Sequence, residues 1–409
     1  MNIILLTEEQ FRNYSSNHSE INFCQTVEYA NMKNAEGYKT NYLGLINEEK
    51  KIIASTLILE KNINSKYKYG FAPNGFLIDY DNEELLKNFT SKIKEFLKKQ
   101  NYVYLKINPI FNYRIYDKNF NLIEGNEKKI NTLKKCNFNF TGYQNDFSKY
   151  CIKLKANDSI DEIYEKFSRS AKRNINFCLN LGLTIHKGNT DNFELFYNLI
   201  KKNNSKSMEY YRKLSSYFNT DYNKFEIFFA KLNPEIYINN YQYLLKKEQE
   251  KNNILSKRFQ KESNQKNNKL LNKKMLSDRM IEKYKKEIVR ATNVYKIFPD
   301  GIIVGTCGIL RNNQEIYFLV DGYNEQLDYI HSINLIKWEI IKSYHSVGYR
   351  KFSFGAINSN LQSETYKGLL HSKLSFGGDI IEFPGDYNLI INKYLYTIYS
   401  SFSDLNKKK

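Results

Sequence analysis

Helix breakers are scarce in the middle of this 409-residue chain: no glycine lies between Gly188 and Gly301, and no proline between Pro234 and Pro299. Such a span excludes a turn-rich module and favours long helices. Cysteine is scarce too. Cys24, Cys136, Cys151, Cys178 and Cys307 form no CxxC pair and are odd in number, which argues against a disulfide framework. The five histidines show no HxxxH spacing, so neither a metal nor another cofactor is expected. No run approaches the roughly 18 apolar residues of a spanning helix. The stretch Met1 to Leu6 is too short for a signal-peptide core and soon meets Glu8 and Glu9, so a cytoplasmic location is expected. Acidic residues are outnumbered, with 44 Asp and Glu against 62 Lys and Arg and a formal net charge of +18. A general lysine bias accounts for part of that excess; the remainder points to a polyanionic partner such as nucleic acid, an anionic lipid surface or a phosphorylated substrate.

What the chain has in quantity is aromatic residues, 34 Tyr and 27 Phe, enough with the aliphatics to build a core and exclude disorder. Its length suits two to three domains. The sequence also repeats its own order. Residues 52–60, IIASTLILE, and 302–310, IIVGTCGIL, read as buried strands. Each leads to a second strand (Tyr67 to Phe71; Glu315 to Val320), an amphipathic helix (82–99; 331–347) and a short strand (101–107; 348–354). The same order about 250 residues apart predicts a duplicated α/β domain. Between the copies, Ser159 opens a helix that Gly182 ends, a short strand follows at Leu183 to His186, and further helices are expected near 191–203, 207–219 and 221–232.

The breaker-free span contains a distinct module at about 240–291. Leu244, Leu245, Ile254, Leu255 and Phe259 mark one apolar seam, and Leu270, Leu271, Met275, Ile281, Tyr284 and Ile288 another, around a polar tip at 261–268. The pattern predicts an antiparallel two-helix coiled-coil arm roughly 36 Å long, at about 1.5 Å per residue. It carries 15 Lys and Arg against 6 Asp and Glu, a bias that favours nucleic-acid contact over mere solvation.

Five segments, in order, give the chain a resemblance to a known family. These are Gln25-Thr-Val-Glu-Tyr-Ala-Asn-Met-Lys33, Tyr69-Gly-Phe-Ala-Pro-Asn-Gly-Phe-Leu-Ile-Asp79, Phe167-Ser-Arg-Ser-Ala-Lys-Arg-Asn-Ile175 with the later Gly182-Leu-Thr, Met208-Glu-Tyr-Tyr211, and Leu369 to Asp379 followed by Glu382-Phe-Pro-Gly385. Together they resemble the FemAB family of non-ribosomal peptidyl transferases over nearly the whole chain. The resemblance implies an α/β (α+β) fold of two GNAT-like domains, 1–150 with 386–409 and 151–239 with 292–385, plus the arm at 240–291. It implies an aminoacyltransferase that moves glycine, alanine or serine from aminoacyl-tRNA to a side-chain amine of a peptidoglycan precursor, lipid II or UDP-MurNAc-pentapeptide. A lipid-linked precursor would be met peripherally, at the inner membrane face. The readings set against it are a non-catalytic or degenerate tRNA-binding relative and an ordinary GNAT acetyltransferase.

The resemblance also carries roles onto residues. Lys33 matches a lysine that contacts the precursor's phosphates. Lys206 stands where an arginine is more usual, and Tyr210 matches a tyrosine beside the precursor. Lys373 matches a lysine expected to stabilise the oxyanion or hold the tRNA terminus, although Ser372 replaces the aromatic before it. Phe376, Gly377 and Gly378 fit the closing signature. Asn108 and Ser353 stand where carboxylates are found in relatives, which leaves no general base identifiable. Lys172 and Arg173 are candidates for the same ligands. Aminolysis of an ester that is already activated needs positioning and charge stabilisation more than a nucleophilic triad.

Overall fold

The computed structural model describes residues 1–143, 149–261, 268–357 and 364–407. Two mixed β-sheets form its frame. The first orders the strands Asn2–Leu5, Lys39–Ile46, Ile52–Asn62, Lys68–Ala72, Tyr102–Ile107, Asp386–Ile390 and Phe138–Gly142. The second orders Thr184–Lys187, Lys224–Leu232, Ile302–Arg311, Glu315–Tyr323, Lys351–Ile357, Tyr150–Lys155, Asp379–Glu382, Arg114–Tyr116 and Leu122–Gly125.

Each sheet contains one parallel pair, Lys68–Ala72 with Tyr102–Ile107 and Glu315–Tyr323 with Lys351–Ile357. Parallel neighbours need a crossover, and in both sheets it is a helix, Glu83–Lys99 or Ser332–Ser346. The repeated strand–strand–helix–strand order is therefore matched by repeated pairing. The first helix buries Leu86, Phe89, Ile93 and Leu97 and carries Glu83 and Glu84 in its first turn and Lys98 and Lys99 in its last, which suits the helix dipole.

The chain exchanges strands between the sheets. Asp386–Ile390, near the C-terminus, inserts into the first sheet between Tyr102–Ile107 and Phe138–Gly142. In return Arg114–Tyr116 and Leu122–Gly125, which the sequence reading assigned to the 1–150 unit, join the second sheet through Asp379–Glu382.

Three expectations need correction. Residues 221–232 do not form a helix: Lys224–Leu232 is a central strand paired along its length with Ile302–Arg311. Phe225, Ile227 and Phe229 enter one core cluster, Ala230 and Leu232 another, as strand alternation requires. The helix expected from Ser159 to Gly182 is two helices, Ile160–Glu165 and Arg169–Asn180. Ser159 does cap the first with a capping box, but Ser168 caps a second start by accepting from the Ala171 N–H, while its own N–H donates to Ser375 O at 2.9 Å. A serine offering a local cap competes with continuing the helix. In the hairpin Pro234–Lys261 and Asn268–Ile297 the apolar seam is narrower than expected: Leu255 is buried, but Ile254, Phe259, Leu271 and Met275 are 40–54% exposed. A helix pair has only one facing stripe to bury. The base of the hairpin is held by polar and aromatic contacts, with the Tyr237 hydroxyl donating to Glu287 and the Tyr241 and Tyr284 rings 5.8 Å apart. The polar tip at 262–267 lies outside the described residues.

Candidate active site

The site follows from where pairing stops. The parallel pair of the second sheet is hydrogen-bonded only from Glu315/Lys351 to Tyr317/Ser353, and beyond that the two strands part. Phe318 and Leu319 on one strand, and Ser353, Gly355 and Ala356 on the other, line the gap. The ends of the first sheet's parallel pair face it through Asn74 and Asn108. Strand Tyr150–Lys155 adds Cys151 and Lys153, the turn after Ile21 adds Asn22, Phe23 and Cys24, and the crossing segment adds Phe383, Gly385 and Asp386. The result is a cavity of about 300 Å³ between the sheets.

Lys373 approaches this cavity from the helix Glu364–Leu374. Its Nζ donates to Ala356 O at 2.7 Å and comes close beneath Gly355, where an added Cβ would stand 3.5 Å from it. Gly355 has φ +77°, a conformation that favours glycine. Burial, aided by repulsion from Lys337, lowers the Lys373 ammonium to about 8. Lys337 is itself buried and pairs with Asp321.

Lys33, Lys206 and Tyr210 form a second cluster, where the helices Val27–Ala35 and Met208–Tyr217 pack. Lys33 Nζ donates to Glu36 at 2.7 Å and lies 5.4 Å from the Tyr29 ring centre. Lys206 Nζ lies 5.5 Å from the Tyr210 ring centre. Burial raises the Tyr210 hydroxyl to about 12, with Cys24 and Glu36 adding to the effect. Cys24 joins this cluster to the cavity. Burial pushes its thiol up to about 12, against the pull of the Tyr29 hydroxyl and the Lys33 ammonium, and it lines the cavity wall. Cys151, on the opposite wall, feels Lys373 in the same way. Lys373 thus reaches the cavity wall at Gly355 and Ala356, and the Lys33 cluster adjoins the cavity through Cys24.

Asn108 is 4% exposed at the cavity wall, and its Oδ1 accepts from the Asn74 N–H at 2.8 Å. Asn74 in turn donates to Asn22 Oδ1 at 2.8 Å. Ser353 lies 3.2 Å from the Cys151 sulfur. Lys172 is occupied by Glu165 at 2.6 Å.

Phe376 and Gly377 do not line the cavity. Phe376 is 1% exposed, stacked on Phe354 at 5.2 Å and edge-on to Phe167 at 5.2 Å. Gly377, at φ +79°, packs against Lys166. Phe376 and Gly377 are here packing elements that fix the end of the Lys373 helix. Replacing Phe376 with leucine is expected to lower stability by about 1 kcal/mol while leaving substrate KM unchanged, as chemical denaturation and initial rates would check.

Three charged residues escaped the sequence reading, and two of them, Lys153 and Asp386, line the cavity. Lys153 and Glu315 form an ion pair at 3.0 Å, with side chains 20% and 5% exposed. Burial pulls the Lys153 ammonium down, but the carboxylate beside it more than compensates and leaves it above its ordinary value. Asp386, 1% exposed, pairs with Lys106 at 3.2 Å. Alternation offered one signal, since Ile152 and Leu154 face the core and place Cys151 and Lys153 on the other side. Asp386 lies one residue beyond the Glu382–Gly385 motif.

Comparison with known proteins gives the family. The FemAB family profile matches residues 6–403. The chain belongs to the FemAB family. Aminoacyltransferase FemA of Staphylococcus epidermidis is 22% identical over 417 residues, covering 98% of this chain and 99% of that protein. Aminoacyltransferase FemA of Staphylococcus aureus strain MRSA252 is 22% identical over 418 residues, covering 98% of each. Among solved structures, the crystal structure of FemX superposes with a TM-score of 0.76 at 17% identity, over 97% of this FemAB chain and 99% of that one.

Proposed function

We propose that this FemAB protein is an aminoacyl-tRNA-dependent aminoacyltransferase that extends the side-chain amine of a peptidoglycan precursor. The observation that carries the reading is the cavity between the two sheets, with Lys373 bonded to its wall at Ala356 and the cluster of Lys33, Lys206 and Tyr210 adjoining it through Cys24. Two polyanionic substrates that must exchange an acyl group need two positive approaches to one reaction space. On this reading Lys33 and Lys206 hold the precursor's diphosphate, Tyr210 lies beside it, and Lys373 faces the aminoacyl ester. The amine nitrogen attacks the ester carbonyl, a C–N bond forms, the C–O bond to the tRNA ribose breaks, and the ribose oxygen takes a proton. Lys373 stabilises the negative oxygen formed on the way.

The chain is read as two copies of an acyltransferase-like unit, 1–150 with 386–409 and 151–239 with 292–385, with the strands Arg114–Tyr116 and Leu122–Gly125 of the first completing the second sheet, and the basic hairpin at 240–291 as the arm that meets tRNA. The transferred residue is a small one, glycine, alanine or serine. The protein works in the cytoplasm and meets any lipid-linked precursor at the membrane face, with its positive charge favouring the anionic leaflet.

The test is incubation of the purified protein with charged total tRNA and a lysine-containing UDP-linked muramyl pentapeptide, followed by mass spectrometry. A mass increase of one aminoacyl residue that requires charged tRNA is expected; uncharged tRNA giving the same product, or no product, overturns the reading. Lys33→Ala is expected to raise KM for the precursor roughly tenfold, as loss of one charge-assisted contact does, with the folded state intact by circular dichroism.

A further inference from the structure

The segment Gln25 to Lys33 carries two buried polar side chains that the phosphate reading leaves unused. Gln25 is fully buried. Its Nε2 donates to Pro73 O at 2.7 Å and Leu57 O at 3.2 Å, and its Oε1 accepts from the Leu57 N–H at 2.7 Å. These bonds fasten the start of Val27–Ala35 to the first sheet. Glu28, 3% exposed, reaches the other way. Its Oε1 accepts from Arg12 and from the Thr220 hydroxyl, the latter at 3.1 Å, and its Oε2 accepts from Asn223 Nδ2 at 2.8 Å. Thr220 and Asn223 lie in the link between the helix Met208–Tyr217 and the second-sheet strand Lys224–Leu232. That link closes on itself without Glu28: the Thr220 hydroxyl accepts from the Asn223 N–H at 3.0 Å, and the Thr220 N–H donates to Asn223 O at 3.0 Å. The Asn223 side chain is spent on Glu28, and among the described residues its Oδ1 has no partner.

A buried carboxylate that collects donors from elements of both sheets fixes their relative place, since moving either one strands a charge or a donor. The helices Val27–Ala35 and Met208–Tyr217 pack antiparallel. Glu28, near the start of the first, meets the link that follows the second. At the opposite end burial raises the Tyr210 hydroxyl, with Cys24 and Glu36 adding to it, which places Glu36, just past Ala35, near the first turn of Met208–Tyr217. Between those ends Met32 shares an apolar cluster with Tyr211, Leu214 and Phe218. Lys33 follows Glu28 by five residues, about 7.5 Å along the helix. Its ammonium is held by Glu36 at 2.7 Å, so it stands where its own helix stands. Lys33 and Lys206 carry the same charge and cannot draw the two helices together. We propose that Glu28 is a positioning residue for the precursor's diphosphate: through Thr220 and Asn223 it sets Val27–Ala35 against Met208–Tyr217 and so brings Lys33 to the side of Lys206 and Tyr210. The identity of the anion rests on the proposed function; the bonds of Glu28 do not.

Binding of a lysine-containing UDP-linked muramyl pentapeptide, measured by calorimetry, needs no turnover; transfer is followed by mass spectrometry with charged tRNA. Asn223→Asp sets a second carboxylate against Glu28 and is expected to weaken binding about tenfold, the loss expected of Lys33→Ala itself. Its kcat at saturating precursor should stay within about twofold of wild type. Asn223→Ala deletes the bond without adding charge and is the milder form if the carboxylate pair unfolds the link; about threefold is expected of it. Adding Glu28→Gln to Asn223→Asp restores the contact with its polarity reversed, an amide now donating from residue 28 while Oε1 still accepts from Arg12 and Thr220, and binding should recover to within about threefold of wild type. In a Lys33→Ala background Asn223→Asp should cost less than about twofold further, because the contribution it displaces is already gone. A contact that served folding alone would cost the same with or without Lys33. Wild-type affinity in both Asn223 variants, a tenfold loss that persists in the Lys33→Ala background, or a Glu28→Gln/Asn223→Asp protein no better than Asn223→Asp overturns the inference. The expected pattern in binding without any transfer removes the proposed function and leaves the role of Glu28 standing; transfer with a flat pattern does the reverse. Binding by none of the proteins, wild type included, removes both.

Discussion

Replacing Lys373 with methionine is expected to slow aminoacyl transfer by about a hundredfold or more while making the folded protein more stable. The first effect follows from the cavity. Lys373 places its ammonium next to Gly355 and Ala356, which line the cavity, where a fixed charge can act on a developing oxyanion. Removing one such group costs about 100- to 1,000-fold in rate. The second effect has the opposite sign because the ammonium is penalised by burial and by Lys337. Its folded value of about 8 lies below its ordinary 10.5, so between those values the unfolded chain binds more protons than the folded one. Stability contributed by this group therefore rises with pH across that window, and the full penalty is present below it. The methionine variant gains on the order of 3 kcal/mol at neutral pH, an upper bound from about 1.4 kcal/mol per unit. That advantage disappears as the pH is raised through about 8 towards 10.5. Denaturant titrations at pH 7 and pH 10 measure it, and a gain that persists unchanged at pH 10 would falsify the buried-charge account. Wild-type transfer, if the charged lysine is the working form, declines as pH rises through about 8, and Lys373→Arg loses that decline because a guanidinium stays protonated.

Much of the frame was legible because its signals are local. The strands at 52–60 and 302–310 and the helices at 82–99 and 331–347 each carry their own periodicity, and the structure has them at Ile52–Asn62, Ile302–Arg311, Glu83–Lys99 and Ser332–Ser346. The strand at 224–232 was misread for a reason visible in its partners. Glu226 is buried in mid-strand, with Lys187 and Tyr344 bonded to it and Arg311 at 3.7 Å. A buried carboxylate satisfied by residues at 187, 311 and 344 breaks the apolar pattern that a short window reads. The site shows the same division. Asn108 lines the cavity and Lys373 is bonded to its wall, Lys33, Lys206 and Tyr210 form a separate cluster next to Cys24, and Phe376 and Gly377, which share the Lys373 motif, serve packing. A motif marks a stretch of chain; which of its side chains faces a ligand is decided by the neighbouring strand. Lys153, Glu315 and Asp386 could not be found as a group, since 162 residues separate the first two and their pairing exists only once the second sheet has closed.

That pair sets the second large expectation. Lys153→Met leaves the buried Glu315 carboxylate, behind the cavity-lining Lys153, without its cation, and stability is expected to fall by about 3–5 kcal/mol. The magnitude comes from stranding a charge, since the intact pair repays only part of its own desolvation. Restoring neutrality is therefore the decisive control. In Lys153→Met/Glu315→Leu most of the loss should return, although each residue has been replaced by one that makes no ion pair. A double variant as unstable as the single one would show that packing around Lys153, and not the unpaired carboxylate, held the strands together. Transfer assays on the same proteins separate folding from electrostatics. The double variant carries one fewer positive and one fewer negative group at the cavity, so its net field on a diphosphate is little changed, and its precursor KM should stay within a few-fold of wild type. The single variant adds an uncompensated negative charge there, and its KM should rise well beyond that, most steeply at low ionic strength where screening is weak.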